Sequence, residues 1–373
     1  MSNLYGGRGL ELVSGSGAEV KDAEGRSYVD FLCGNGSALF GHCHPVLTEA
    51  AQKALLSPWT TSPGLLCAAR DELRKNLAAL LPEGKVFLCS SGAEAIEAAL
   101  KLVTSLRPGR FKILALRRAF HGRTLGALAL TFNPQYRRPW ADRLLPVQHL
   151  RAEELPGAVD EGTAAVFVEP VQGEGGVYPL PPAVGAAITE ACRSAGALLV
   201  ADEIQTGWGR CGALLASLGA ELDPDVVTLA KGLAGGFPIG AAVWKGALGD
   251  FPAKGHGSTY GGNPVAASVA LASWDLLCSE KYPELAAKNG GTFAAALKAL
   301  SSPLIVEVRH KGLLVGVELS VKADPVLREL QSRGILALNA GPQVVRFLPP
   351  FTAQEKHFTA VTETFLQVLS QLI

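Results

Sequence analysis

The sequence predicts an α/β protein: a large, mostly parallel sheet covered by helices on both sides, joined to a smaller α+β unit. Two observations carry this reading. The middle of the chain alternates short apolar runs with helical patterns, the rhythm of strands linked by crossover helices. The two ends lack that rhythm and read as hairpins and mixed short elements.

In chain order, residues 17–32, GAEVKDAEGRSYVDFL, read as a hairpin turning at Ala23 to Arg26. Apolar runs of the length of buried strands follow. They are KVFLCS near Val86, FKILAL near Ile113, AAVFVEP near Phe167, ALLVADE near Val200, DVVTLAK near Val227 and IGAAVW near Ala242. Ile96, Ala99, Leu100 and Val103 recur at the helix period, so 91–103 is expected to form a helix with one apolar face. A boundary is expected near Asn263-Pro264, where a loop gives way to the alanine-rich helix VAASVALASWDLL. The tail then mixes short strands, LIVEVRHKGLLVGVEL and QVVRFLPP, with helices. There is no internal repeat and no low-complexity linker.

Composition narrows the function. The 373 residues suffice for two domains, and 48% apolar with 18% charged residues fits a globular chain. Lys plus Arg and Asp plus Glu both number 34, so nothing points to nucleic acid or an anionic membrane as partner. No apolar run approaches the roughly 18 residues of a membrane span. The N-terminus MSNLYGGRGLELVSG lacks the basic stretch and apolar core of a signal peptide, so the cytoplasm is the expected compartment. The 7 cysteines are scattered without a CxxC pair, which fits reduced, mostly buried thiols. His42-Cys43-His44 places its histidines on opposite sides of an extended chain, and no metal is expected there. No glycine spacing of a dinucleotide or Walker site occurs. Glycine itself is abundant, 42 residues, and clusters beside polar residues as where backbone approaches a ligand.

Ligands of open parallel sheets bind beyond the carboxyl ends of the strands, and three strand ends are informative. The first runs into SSGAEA. Ser91 suits a helix cap, with Glu94 closing a capping box, and Gly92 and Ala93 offer free N–H groups where a phosphate fits. A capped helix that binds nothing is the equal alternative. The second ends at Asp202, an acid directly after Leu198–Ala201, which needs a partner. The protonated nitrogen of a pyridine cofactor is one, with Gln205 in reach of the same ring; a metal or a helix end is another. The third ends at Lys231, between an apolar strand and a glycine-rich turn. Burial there would lower its pKa and free the amine to attack a carbonyl, whereas most lysines simply lie on the surface.

Eight stretches in the same order carry a family likeness: GHCHP at Gly41, SSGAEA at Ser90, FHGRT at Phe120, VEPVQGEGG at Val168, ADEIQTGWGR at Ala201, LAKGL at Leu229, GSTYGGNP at Gly257 and VRFLPP at Val345. Over nearly its whole length the chain resembles the class III aminotransferases of the fold-type I pyridoxal-phosphate enzymes, and within them the acetylornithine aminotransferases. The resemblance implies a large cofactor-binding domain over 46–263, built on a seven-stranded-type sheet. It also implies a small α+β domain from both chain ends, 1–45 plus 264–373. Lys231 would hold pyridoxal 5'-phosphate through its amine and later move the proton. Asp202 would pair with the ring nitrogen, Gln205 would touch the ring hydroxyl, and Glu203 and Ile204 would belong to the same cofactor-binding stretch. Phe120 would stack on the ring, and Gly92 and Ala93 would hold the phosphate, helped by Thr259 of a neighbouring subunit. That last role implies a homodimer with both sites at the interface.

The resemblance also implies a substrate set. Arg123 would grip a substrate carboxylate, joined by Ser258. Glu174 and Arg346 look like the pair in which arginine binds the second carboxylate of glutamate and the acid masks it at other times. The expected reaction moves the terminal amino group of N-acetylornithine, or a similar acylated diamino acid, to 2-oxoglutarate in arginine or lysine biosynthesis. Ornithine, 4-aminobutyrate and lysine-pathway ω-aminotransferases share that chemistry, while an aminomutase or racemase would need no switch between two substrates. Departures from the family pattern are Ile96 where asparagine is common, Trp208 and Cys211 near the expected cofactor wall, and Asn35 at the expected mouth of the substrate pocket.

Overall fold

The computed structural model describes residues 7–372, so residues 1–6 and 373 of the expected small domain lie outside the described residues. Each of the expected central runs is a strand, and together they form most of a seven-stranded sheet. Its order across the sheet is Lys85–Cys89, Gly240–Trp244, Val226–Leu229, Leu198–Asp202, Thr163–Val168, Lys112–Leu116 and Val147–Leu150. The last of these was not expected. It is an edge strand with alternating, half-polar residues, VQHL, and so lacks the continuous apolar run of a buried strand. Its neighbours in the middle of the sheet are buried along their whole length.

One strand runs against the others. Gly240–Trp244 is antiparallel to both neighbours. The cause is local: between Leu229 and Gly240 the chain holds only a short 3-10 turn at Lys231–Ala234, and a parallel return needs a crossover of a dozen or more residues. The expected helix runs Gly92–Leu106, and its apolar face, including Ile96, Ala99, Leu100 and Val103, enters the core under the sheet. Ile96 is therefore a core residue, which accounts for an aliphatic side chain at that place.

The N-terminal hairpin is present as Glu19–Asp22 paired with Ser27–Asp30. Asp22 pins its turn, accepting the Arg26 N–H at 2.8 Å and the Tyr28 hydroxyl at 2.7 Å. The hairpin then meets the far end of the chain, with Val29 and Asp30 parallel to Ile335 and Leu336. The C-terminal strands Ile305–Lys311, Leu314–Leu319, Val344–Phe347 and Leu338–Asn339 make a second antiparallel sheet. Phe31, Phe293, Phe347 and Phe365 close one core between these ends.

The two cores do not part at Asn263–Pro264. Asn263 caps the helix Pro264–Ser279, its side chain accepting the Ala266 N–H at 2.9 Å. That helix carries Ala266, Ala267, Val269 and Ala270 into the same core as Leu88, Val227 and Val243 of the large sheet. Leu39, Phe40 and Leu47 join that core from the N-terminal side. The large-sheet core thus extends past both expected boundaries, because small alanines let this helix lie close against its neighbours. No helix among the described residues is long and apolar enough to cross a membrane.

Candidate active site

The three strand ends meet in one cavity of about 400 Å³. Gly92, Ala93, Phe120, Glu174, Asp202, Ile204, Gln205 and Lys231 all line it. Sequence alone placed each of these at a site, and the fold brings them together.

At the helix start, Ser91 accepts the Glu94 N–H through its hydroxyl at 3.2 Å. The Glu94 carboxylate accepts the Ser90 N–H at 2.6 Å, one residue earlier than a standard capping box would place it. The N–H groups of the first turn have no intrahelical acceptors, and the helix dipole adds positive potential there. Gly92 has little room to spare: a Cβ on it would lie 3.0 Å from the Ile204 Cδ1 atom. The strand-to-helix turn is therefore a close-fitting cradle for an anion.

Asp202 is 4% exposed and fully engaged. Its Oδ2 meets the His121 Nδ1 at 2.7 Å, and its Oδ1 accepts the Ile204 N–H at 3.0 Å and the Thr228 hydroxyl at 3.3 Å. Burial pulls the His121 pKa down, but the hydrogen bond and charge of Asp202 outweigh it and hold the imidazole above its ordinary range.

Lys231 begins the turn after its strand in a left-handed backbone conformation, φ +43°, which a lysine adopts only when its surroundings impose it. Burial brings its pKa down to about 8, against opposing pulls from Glu174 and Asp202. Beside it, Arg346 is 2% exposed at its side chain and bridges two residues from other loops. Its guanidinium donates to the Gln205 Oε1 at 2.8 Å and to the Glu174 Oε1 at 2.6 Å. Burial raises the Glu174 carboxyl, but Arg346, Lys231 and Arg123 together hold it below the usual range. The Gln205 Nε2 is buried with no partner, a donor left for something in the cavity.

Other expected residues lie elsewhere. The Glu203 side chain turns away from the cavity, accepting the Ser217 N–H at 2.6 Å, because adjacent residues leaving a strand alternate sides. Arg123 is exposed and stacks over the Tyr136 ring, 4.1 Å from its centroid. Ser258 accepts the Gly261 N–H at 3.1 Å, and Thr259 is exposed; neither lines the cavity formed by this chain. Trp208 donates to the Ser273 hydroxyl at 3.1 Å within the large core, and Cys211 is buried against Val171 and Val177. Both stand behind the cavity wall rather than on it. Asn35 sits in a left-handed turn, φ +58°, and Ser37 two residues on lines the cavity. His42 is held by Asp30 at 2.7 Å while His44 packs against Phe40.

Two site residues escaped the sequence reading. His121 follows Phe120 in FHGRT, and nothing in that motif alone says that it will meet Asp202. Glu169 closes the apolar strand Thr163–Val168 as Asp202 closes its own, so the same rule would have found it.

The comparisons with known proteins identify the family. The profile of the family described as aminotransferase class-III matches residues 8–369. A [LysW]-aminoadipate semialdehyde transaminase from Deinococcus radiodurans is 40% identical, covering 100% of this chain and 88% of that protein. An acetylornithine aminotransferase from Mycolicibacterium smegmatis is 42% identical over 99% of this chain and 96% of its own length. The ornithine aminotransferase of Toxoplasma gondii, crystallised with partial occupancy of PLP at its active site, superposes with a TM-score of 0.94. It shares 31% identity, covering 100% of this chain and 92% of that one.

Proposed function

Since this chain belongs to the class III aminotransferase family, with pyridoxal phosphate as its cofactor, we propose that it moves the terminal amino group of an acylated diamino acid, N-acetylornithine first among them, to 2-oxoglutarate. The observation that carries this reading is Arg346, a buried guanidinium whose partners Glu174 and Gln205 both line the cavity.

The cavity suits the cofactor in three respects. The close cradle at Gly92 and Ala93 accepts a phosphate. Asp202, backed by His121, would hold the ring nitrogen and keep it protonated. The unpartnered Gln205 Nε2 awaits an acceptor such as the ring hydroxyl. When bound, pyridoxal phosphate supplies an electron sink for the bond that breaks at the amino carbon. The remaining work falls to this chain. Lys231, with its proton affinity lowered by burial, holds the cofactor and then moves the proton at the donor carbon. Phe120 covers one side of the cavity. Arg346 binds the distal carboxylate of glutamate or 2-oxoglutarate when Glu174 swings aside, and pairs with Glu174 when a donor without that carboxylate occupies the site. The arrangement serves two unlike substrates, which an aminomutase or racemase does not require.

Arg123 reaches a substrate carboxylate in this reading, turning from Tyr136. Ser258, half-buried, and Thr259, exposed on this chain, complete the site of a second copy in a homodimer. The cytoplasm is the proposed compartment. The arginine route is favoured by the acetylornithine relatives and the lysine route by the Deinococcus relative, so the acyl group is the point at issue.

The test uses purified holoenzyme without any keto acid. N-acetylornithine should remove the lysine-dependent absorption band of the cofactor, and 2-oxoglutarate should restore it; Lys231→Ala should never show that band. Ornithine and 4-aminobutyrate run in parallel. A band that responds to one of those and ignores N-acetylornithine refutes the donor assignment.

A further inference from the structure

Glu169 has had no part in the chemistry so far, yet it stands between two cavities. It is 6% exposed, and its Oε2 accepts the Phe120 N–H at 3.1 Å, so its partner is an amide and not a cation. The residue lines the catalytic cavity and also a second one of about 610 Å³. The rim of that second cavity carries exposed Arg117, Arg118, Arg151 and Glu153, so it opens to water. On the catalytic side the charged groups around Glu169 are His121, Asp202 and Lys231. We propose that Glu169 relays protons between the catalytic cavity and the water of the second cavity.

The step is simple. A carboxylate oxygen of Glu169 forms an O–H bond to a proton given up by an ammonium or water in the catalytic cavity. An O–H bond then breaks towards a water in the second cavity, and Glu169 ends as it began. Amino transfer needs such a route, because donors arrive largely as ammonium ions and must lose a proton before their nitrogen can attack. Burial lifts the Glu169 carboxyl and lowers the Lys231 amine, each to about 8, so the two groups have similar proton affinities. The rival role is a structural peg for the Phe120 N–H. Glutamine would fill that role equally well through its amide oxygen, but it cannot relay.

The inference rests on the family's amino transfer and not on which donor is natural. Wild type, Glu169→Gln and Glu169→Asp holoenzymes would each receive a donor deuterated at its reacting carbon, chosen as an amine that bleaches the cofactor band. The aminated cofactor is then analysed for deuterium by mass spectrometry. In wild type, hydrogens on the Lys231 nitrogen exchange with solvent through Glu169 and dilute the label. Glu169→Gln should retain several-fold more label, and Glu169→Asp should return towards wild type. Independently of turnover, the infrared difference spectrum between Glu169→Gln and wild type near neutral pH should reveal the wild-type band of a protonated carboxyl. Equal label retention in Glu169→Gln and wild type overturns the relay. So does absence of the protonated-carboxyl band from the wild type, which is read without turnover.

Discussion

Replacing Glu174 by glutamine should make the enzyme bind its keto acid more tightly. In the resting site Arg346 is already paired with Glu174 at 2.6 Å, and 2-oxoglutarate must displace that carboxylate to reach the guanidinium. A hydrogen bond between charged groups contributes about 1.5–3 kcal/mol. One third of the Glu174 side chain is open to water, however, which screens part of that. A cost of about 1–2 kcal/mol for opening the pair corresponds to roughly 5- to 30-fold in affinity. Arg346 keeps its Gln205 bond in the variant, so the site should stay assembled. The assay is the steady-state KM for 2-oxoglutarate at saturating donor, with glutamate in the reverse direction as a second reading. Both should fall by that factor in Glu174→Gln. The pH dependence has a definite sign. The Glu174 carboxyl is held below the usual range, so the pair persists through neutral pH and is lost only as pH falls through that lowered value. Protonated Glu174 resembles glutamine, and the difference between wild type and variant should therefore shrink in acid. An unchanged or higher KM in the variant at neutral pH refutes the masking argument.

Two further predictions follow from single positions. A Cβ at Gly173 would fall 1.8 Å from the Gln205 Oε1, so Gly173→Ala should push Gln205 off Arg346. Loss of that charge-assisted bond, about 1.5 kcal/mol, should raise the KM for 2-oxoglutarate about tenfold, and an unaltered KM would count against Gln205 as a support of Arg346. For Lys231, the amine is the reactive form and its fraction grows as pH rises through about 8, so reconstitution of cofactor-free protein with pyridoxal phosphate should accelerate up to that pH and then level off. A rate that keeps climbing towards 10, measured by return of the absorption band, would show an ordinary lysine.

The catalytic strand ends were legible because apolar strands that stop at a charged residue are costly without a purpose. Lys231 and Asp202 obey that rule, and both line the cavity. Glu169 obeys it too, directly after Thr163–Val168, and lines the same cavity. The glycine of SSGAEA showed where backbone must come close, but not that Glu94 would reach back to Ser90. Contacts across the fold were harder. Nothing local in FHGRT ties His121 to a carboxylate 81 residues away, nor shows that Arg123 will rest on Tyr136. The edge strand Val147–Leu150 was hidden because it is half-polar, and the turned strand Gly240–Trp244 because direction is a property of its connection. Residue Glu203 shows the limit of a motif: its identity matches the family stretch, while its side chain serves the loop at Ser217.

The pairing of Val29 with Ile335 has a consequence for how the molecule is made. Phe31 accepts an N–H from Leu348 and Leu39 one from Phe351, so the outer edge of the hairpin at Ser27–Asp30 finds its partner only when nearly all of the chain exists. A chain emerging from the ribosome N-terminus first must carry that edge unpaired through most of translation. The cradle at Gly92, Asp202 and Lys231, by contrast, is complete once residue 231 and the strands around it have emerged. Arg346 comes last, on a strand that must dock on Leu314–Leu319. The order of synthesis therefore completes the surroundings of Lys231 early and adds Arg346 late, and a ribosome stalled between them would release a chain that has its buried lysine but lacks the guanidinium that pairs with Glu174 and Gln205.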